Sequence, residues 1–297
     1  MEYFIKIVTK ADNLPIVLML FLCIFYTWHA MRRALRNDKL ETPLEKQQND
    51  KITVWPHLVR VEFLASVVIM IILTVWSFGI DAPLEEPANP AITPNPSKAP
   101  WYFLGLQELL VYFDPWIAGV VLPTIIIIGL MSIPYIDINE KGNGYYTFKE
   151  RPFAILTFSF GFLIMWVSLI VLGTFLRGPG WNFFWPWQYW DHDKVVALNN
   201  VDWSEFFGIP TRNVDNSLNI WAMLFGAGAL FGYFGLSIYG CYLWVSRKRP
   251  DVFKKMGPVR FGVTVTFFVM MVGVILKMIL RWTFNIKYVW VTPWFNV

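Results

Sequence analysis

Few side chains in this sequence can do chemistry, and they stand out against an apolar background. Glu108 lies in the run LGLQELLVYF, seven residues after Trp101 and beside Gln107. Partial loss of water disfavours the charge of a carboxylate and would equip Glu108 to accept a proton near neutral pH. Glu108 reads equally as a carboxylate at a helix start, favoured by the dipole; the run leaves both readings open. Asp114, before Pro115, reads as the N-cap of a following helix. Glu62 follows Arg60 by two residues and reads as half of an interfacial ion pair. The three histidines are His29 next to Trp28, His57 in Trp55-Pro56-His57, and His192 in Asp191-His192-Asp193. Axial haem ligation normally takes paired histidines on facing helices. These three fall at three levels, which argues against a haem held by this chain alone and leaves room for a single ligand given to a partner. Three adjacent residues of a regular element cannot all face one ion, so Asp191-His192-Asp193 reads as a solvated loop. No metal site is expected.

The elements that carry these residues follow from composition. Of 297 residues, 56% are hydrophobic and 15% charged, against roughly 45–50% and about 25% in soluble domains. That balance describes an integral membrane protein and excludes a soluble two-domain enzyme, a disordered chain and a disulfide scaffold. Cys23 and Cys241 lie in apolar runs and form no CxxC, which excludes a zinc ribbon and a covalently attached c-type haem. The net charge of +4 makes no case for nucleic acid, because the basic residues cluster beside hydrophobic segments.

Six stretches reach the roughly 20 residues that a helix needs to cross the hydrocarbon core: about 14–34, 58–80, 113–135, 153–176, 218–245 and 260–282. The expected fold is an all-α membrane protein of six transmembrane helices with long Pro-rich and aromatic outward loops. The first stretch follows a segment of mixed charge, is long, and has no small-residue cleavage site after it, so it reads as a helix and not as a signal peptide. Asn13-Leu14-Pro15 marks its start. Sixteen Lys and Arg residues fall in the connections 31–60, 136–151 and 247–260, and eight in the others. Lys277 lies within the sixth span, near enough to its end to snorkel. This asymmetry places the basic connections in the cytoplasm and both termini outside, in the periplasm of a bacterial inner membrane. Loops 81–112 and 177–217 then face outward. The first holds six prolines between Pro83 and Pro100, which forbid a regular helix and favour an extended strap. In the second, eight of the fourteen residues from Trp181 to Lys194 are Trp, Phe, Tyr or Pro, a composition suited to the headgroup level.

The order of several motifs adds a resemblance. Trp55-Pro56 precedes a helix; EPANPAITP (Glu86 to Pro94) and PWYF (Pro100 to Phe103) follow, then IPYID (133–137) and FKERPFA (148–154). From about Trp55 to Phe175, about 40% of the chain, this resembles the C-terminal half of cytochrome b, and especially subunit IV of cytochrome b6f-type complexes. It divides the chain into an extra helix and basic linker (1–54), a three-helix cytochrome b C-terminal-like region (55–176), and an aromatic loop with two further helices (177–297).

The resemblance implies a membrane subunit of a quinol:cytochrome c oxidoreductase of the bc/b6f type (complex III), inactive alone, whose loop 81–112 walls the outward quinol-oxidation site. There quinol, either ubiquinol or menaquinol, gives one electron to a Rieske iron–sulfur protein and one to a b-haem, and protons leave outward. The b-haems are expected in a partner resembling the N-terminal half of cytochrome b, within a dimeric complex. In the family the glutamate of P-E-W-Y is thought to accept the proton. Here Ala99-Pro100 stands in that place, and a proline cannot accept one. Glu108, the nearest membrane-level carboxylate, becomes the candidate acceptor, with Pro100, Trp101, Tyr102 and Phe103 lining the quinol site. His57 and Arg60 are the candidates on the inward quinone side. The helices outside the resemblance, with loop 177–217, suggest docking of a c-type cytochrome subunit. The alternative is a haem-free membrane anchor of another quinone-linked respiratory complex. A transporter would call for an inverted repeat and ionisable residues at mid-membrane, and the sequence offers no such repeat and few such residues.

Overall fold

The computed structural model describes residues 2–39, 52–139 and 146–297, except positions 83, 85, 86, 88, 92 and 198. Lys46, Lys51 and Lys141 of the basic connections, and Glu86 of the Pro-rich motif, lie outside the described residues. Among the described residues the regular elements are all helical, and six helices are long and apolar enough to cross a membrane. In chain order they are α1 (Glu2–Val8), α2 (Leu14–Asn37), α3 (Val54–Gly79), the short α4 (Leu104–Leu109), α5 (Ile117–Ile136), α6 (Pro152–Leu176), the short α7 (Trp203–Phe206), α8 (Ile220–Lys248) and α9 (Pro250–Phe284). The six expected spans correspond to α2, α3, α5, α6, α8 and α9.

Local chemistry explains the ends and breaks. Pro15 sits in the first turn of α2, where its missing N–H costs nothing. Asp114 caps the approach to α5: its Oδ1 accepts the Trp116 N–H at 3.1 Å. Within α9 the helix breaks at Gly257, whose φ of 70° suits a residue without Cβ. Pro258 follows and cannot donate back to the preceding turn, so the membrane-crossing part of α9 begins there. Beyond Glu62 the helix α3 is almost wholly apolar, and none of its residues is buried. Such a helix is at home only against lipid or another chain.

Contacts divide the chain into two compact units. The first comprises residues 1–94, 141–155 and 184–189. In it the end of α2 grips the segment before α6: Asp38 Oδ2 accepts the N–H groups of Phe148 and Lys149, both at 3.1 Å, and Asn37 Nδ2 donates to the Tyr146 carbonyl at 2.9 Å. The second comprises residues 95–140, 156–183 and 190–297. Its main core gathers Leu109, Tyr112, Phe113, Ile117 and Ala118 around Leu169 of α6 and Val274 and Met278 of α9. Phe295 and Val297 pack onto it from the C-terminal tail. A second cluster joins Phe261, Val265 and Val269 of α9 to Tyr233, Phe234 and Ile238 of α8. The tail turns away from α9 at Asn285, in the left-handed region with φ 56°. It folds back through an antiparallel bridge between Val291 and Asn296.

The tail lies so close to α8 that Gly226 has no room for a side chain. A Cβ there would strike the Val289 carbonyl and the Trp290 backbone, which cannot yield as a side-chain tip can. Gly226→Val should therefore lose about 1–3 kcal/mol, measured as a lower thermal midpoint of the detergent-purified protein. Gly228→Val, which meets open space, should leave the midpoint nearly unchanged.

Candidate functional site

The site is built from a Pro-containing strap without regular structure, one tight turn and six helical residues. Pro96 and Pro100 fix their own φ and keep their predecessors extended. The strap closes into a 3₁₀ turn over Trp101–Phe103, where the Phe103 N–H meets the Pro100 carbonyl at 2.8 Å. Then α4 begins. Its buried face carries Leu104, Gly105, Glu108 and Leu109, the spacing of one side of a helix. Its other side presents Gln107 to the strap: Gln107 Oε1 accepts the Ala99 N–H at 2.8 Å and Nε2 donates to the Ser97 carbonyl at 2.9 Å. Lys98 Nζ donates to the Thr174 carbonyl at 2.8 Å and lies 4.7 Å from the centre of the Trp190 ring. The Gly180 N–H donates to Asn95 Oδ1 at 2.6 Å. The strap is thus fastened to α4, to the end of α6 and to the turn beyond it.

Pro100, Trp101, Tyr102 and Phe103 stand together, with ring centroids 5.6 Å apart for Trp101–Tyr102 and 4.7 Å for Tyr102–Phe103. Tyr102 and Phe103 are half exposed, so they present an open aromatic face. Glu108 does not share that exposure: its side chain is fully buried. Arg177 binds it bidentately, Nη2 to Oε1 at 2.7 Å and Nε to Oε2 at 2.9 Å. Tyr112 donates its hydroxyl to Oε1 at 2.9 Å and Trp181 its indole N–H to Oε2 at 3.2 Å. Each carboxylate oxygen therefore receives two donors. The network continues outward, because Trp282 Nε1 donates to the Tyr112 hydroxyl at 3.1 Å and Arg177 Nη1 to the Trp181 carbonyl at 3.1 Å.

The electrostatics follow from these contacts. Burial, reinforced by the charge of Glu108, raises the Tyr112 pKa and keeps the phenol neutral. For Arg177 burial alone would lower the pKa. The hydrogen bond and charge of Glu108 outweigh it, and the net shift is upward.

Two expectations need correction. Glu108 occupies the last turn of α4 and not a helix start, so the dipole offers it no stabilisation; Arg177 supplies the compensating charge instead. Lys277 does not snorkel. Its side chain is buried and its Nζ has no hydrogen-bond partner. It rests 5.8 Å and 5.9 Å from the ring centres of Phe113 and of Tyr288 in the tail. His57 and Arg60 lie in the other unit, exposed at the start of α3. His29 stacks on Phe25 of its own helix, and all three histidines are exposed. Nothing among the described residues positions a pair of imidazoles for a haem, and no group of three metal-ligating side chains occurs among them. Sequence reasoning counted Arg177 only as a loop charge. The available signal was an Arg at the end of an apolar span in a chain with few charges to pair with Glu108.

Residues 87–181 match the family described as Cytochrome b(C-terminal)/b6/petD. The chain is similar to cytochrome b of Cyanidium caldarium, with 27% identity over 128 residues, 41% of this chain and 33% of that protein. It therefore spans about a third of the length of this curated relative. No solved structure matches. The matched region contains the strap, Trp101–Phe103, Glu108, Tyr112, Arg177 and Trp181, and the resemblance read from the motifs holds over it.

Removing one member of a buried ion pair leaves the other uncompensated, at a cost of about 3–5 kcal/mol. Arg177→Met should destabilise by that amount in chemical unfolding of the detergent-purified protein. Glu108→Leu combined with Arg177→Met should recover most of the loss, since an apolar replacement of both partners is often near neutral. Tyr112 adds a pH signature. Its folded pKa lies above the ordinary value of about 10, so its contribution is complete below that pH and is lost as pH rises further. Stability should fall more steeply above about pH 10 in the wild type than in Tyr112→Phe; equal slopes would refute the assignment.

Proposed function

We propose that this chain is a cytochrome b C-terminal-like membrane subunit of a quinol:cytochrome c oxidoreductase of the bc/b6f type, and that segment 95–103 lines its outward quinol-oxidation site. One observation carries the reading: within the family-matched region, an open face of aromatic rings is held by a strap fastened at four points. Quinol supplies two electrons and two protons when bound. The half-exposed rings of Tyr102 and Phe103 suit stacking against a flat quinol ring, and Pro100 stiffens their approach. The exposed, unpaired histidines favour placing the b-haems in a partner subunit, with a Rieske iron–sulfur protein taking the other electron. In this reading the basic connections face the cytoplasm, both termini are periplasmic, and His57 and Arg60 stand ready on the inward quinone side. The stacked, exposed rings of Trp185 and Trp187, 5.2 Å apart, would offer a docking surface for a c-type cytochrome.

Glu108 serves this site first as an anchor, holding Arg177 and Trp181 beside α4. Its place on the helix that directly follows the ring face favours a second role as proton acceptor, but all four of its hydrogen-bonding positions are taken. Accepting a proton then requires one of these donors, from Arg177, Tyr112 or Trp181, to release its hydrogen bond and free a lone pair. Glu108→Gln separates the roles. If Glu108 accepts the proton, complexes that still assemble should oxidise quinol about 10²-fold more slowly or worse, with an altered pH profile. Near-wild-type activity with an unchanged profile would leave the anchoring role alone. The function as a whole is tested by purification from membranes: a haem-b subunit and a Rieske protein should accompany this chain. If neither does, a haem-free anchor of another quinone-linked complex becomes the better reading.

A further inference from the structure

We propose that Gln107 is a positioning residue of this quinol site, clamping the strap so that Trp101–Phe103 present their rings in one register; this role rests on the functional reading above. Segment 95–100 is poor in donors, because Pro96 and Pro100 have no N–H. It bends at Asn95 and Pro96 and runs on without regular structure to Pro100, so no neighbouring strand satisfies its backbone. The Gln107 amide takes that place. Its oxygen accepts from Ala99 and its nitrogen donates to Ser97, the same acceptor-and-donor pairing that an adjacent strand would provide. The bonds fall on the residues immediately before Pro100, and Gln107 lies on the helix that immediately follows Phe103. Strap, turn and α4 therefore form a closed loop, with the aromatic turn held between its two fixed sides.

Side-chain chemistry at this position is restrictive. Glutamine alone of the side chains with this reach offers both a carbonyl and an NH₂ group. Glutamate can accept from Ala99 but cannot donate to Ser97 when ionised, and leucine can do neither. Glu108, the next residue, points about 100° away around α4 and binds Arg177, so the clamp and the ion pair are separable by mutation. Gln107 touches the strap and not the reacting atoms. Loosening it should weaken the packing of the rings on bound quinol in ground state and transition state alike, which raises KM more than it lowers kcat.

The test uses the purified complex, with short-chain analogues of ubiquinol and menaquinol as substrates and hydrogen exchange as an activity-independent readout. In Gln107→Leu the KM should rise about tenfold with kcat within about threefold, and the Ser97–Ala99 amides should exchange about tenfold faster. Gln107→Glu, which keeps one of the two bonds, should fall between wild type and Gln107→Leu in both measurements. Unchanged exchange in both variants would overturn the clamp. Faster exchange with unchanged KM would overturn its service to the quinol site. A wild-type complex that oxidises neither quinol would overturn the functional reading and this role together, whereas an active wild type with an unaffected Gln107→Leu would overturn this role alone.

Discussion

A carboxylate with no exposed surface has to be neutralised where it sits, and much of the second unit is arranged around that requirement. Withdrawing an ion from water costs several kcal/mol, a penalty that its partners offset only when geometry is good and the remaining lone pairs are filled. Glu108 meets both conditions. Its four donors come from three places in the chain: Tyr112 just after α4, Arg177 just past α6, and Trp181 in the turn that follows. The planar fork of Arg177 matches both oxygens at once, which a lysine could not do. The end of α6 is thereby fixed against α4. The close approach of Gly173 to the Leu104 backbone, with a Cβ at Gly173 only 3.1 Å from the Leu104 oxygen, belongs to the same fit.

The network also explains how so short a helix persists. Six residues are too few to form a stable helix in isolation, so α4 must be held by what touches it. Leu104 and Leu109 bury apolar area in the core, Glu108 binds Arg177, and Gln107 binds the strap. Adjacent residues in a helix point about 100° apart, so Gln107 and Glu108 can serve two different segments without competing. Through Tyr112 and Trp282 the arrangement reaches α9, and Asn296 of the tail donates to Asp114 Oδ2 at 3.2 Å. The strap, α4, α6, α9 and the tail are tied together by polar contacts that an aliphatic core alone would not specify.

How much of this was legible beforehand depended on how local the determining physics is. The six spans were legible because each is a long apolar run, and the Asp114 cap follows from Asp-Pro. The strap was legible from proline spacing. The ion pair was not, because Arg177 stands 69 positions from Glu108 and nothing in either neighbourhood names the other. Of the two readings left open for Glu108, the helix-start one fails for the same reason: the compensating charge arrives from elsewhere. Lys277 misled in the opposite direction. Its distance from the end of α9 suits snorkelling, but the tail, which has no periodic signal of its own, folds back and places Tyr288 over it.

The replacement of a glutamate by Pro100, measured against the family pattern, has a structural counterpart. A proline at that point gives up a titratable group at the ring face and fixes the backbone that leads into Trp101. The charged chemistry of the region then lies in the buried pair of Glu108 and Arg177, which neutralise each other. A face built of Pro100, Tyr102 and Phe103 can hold and orient a flat ring, yet it offers little that could take a proton at neutral pH. In the proposed reading, binding and proton removal are therefore carried by different groups, with the Gln107 side of α4 holding the strap that presents the rings and its Glu108 side holding the charge.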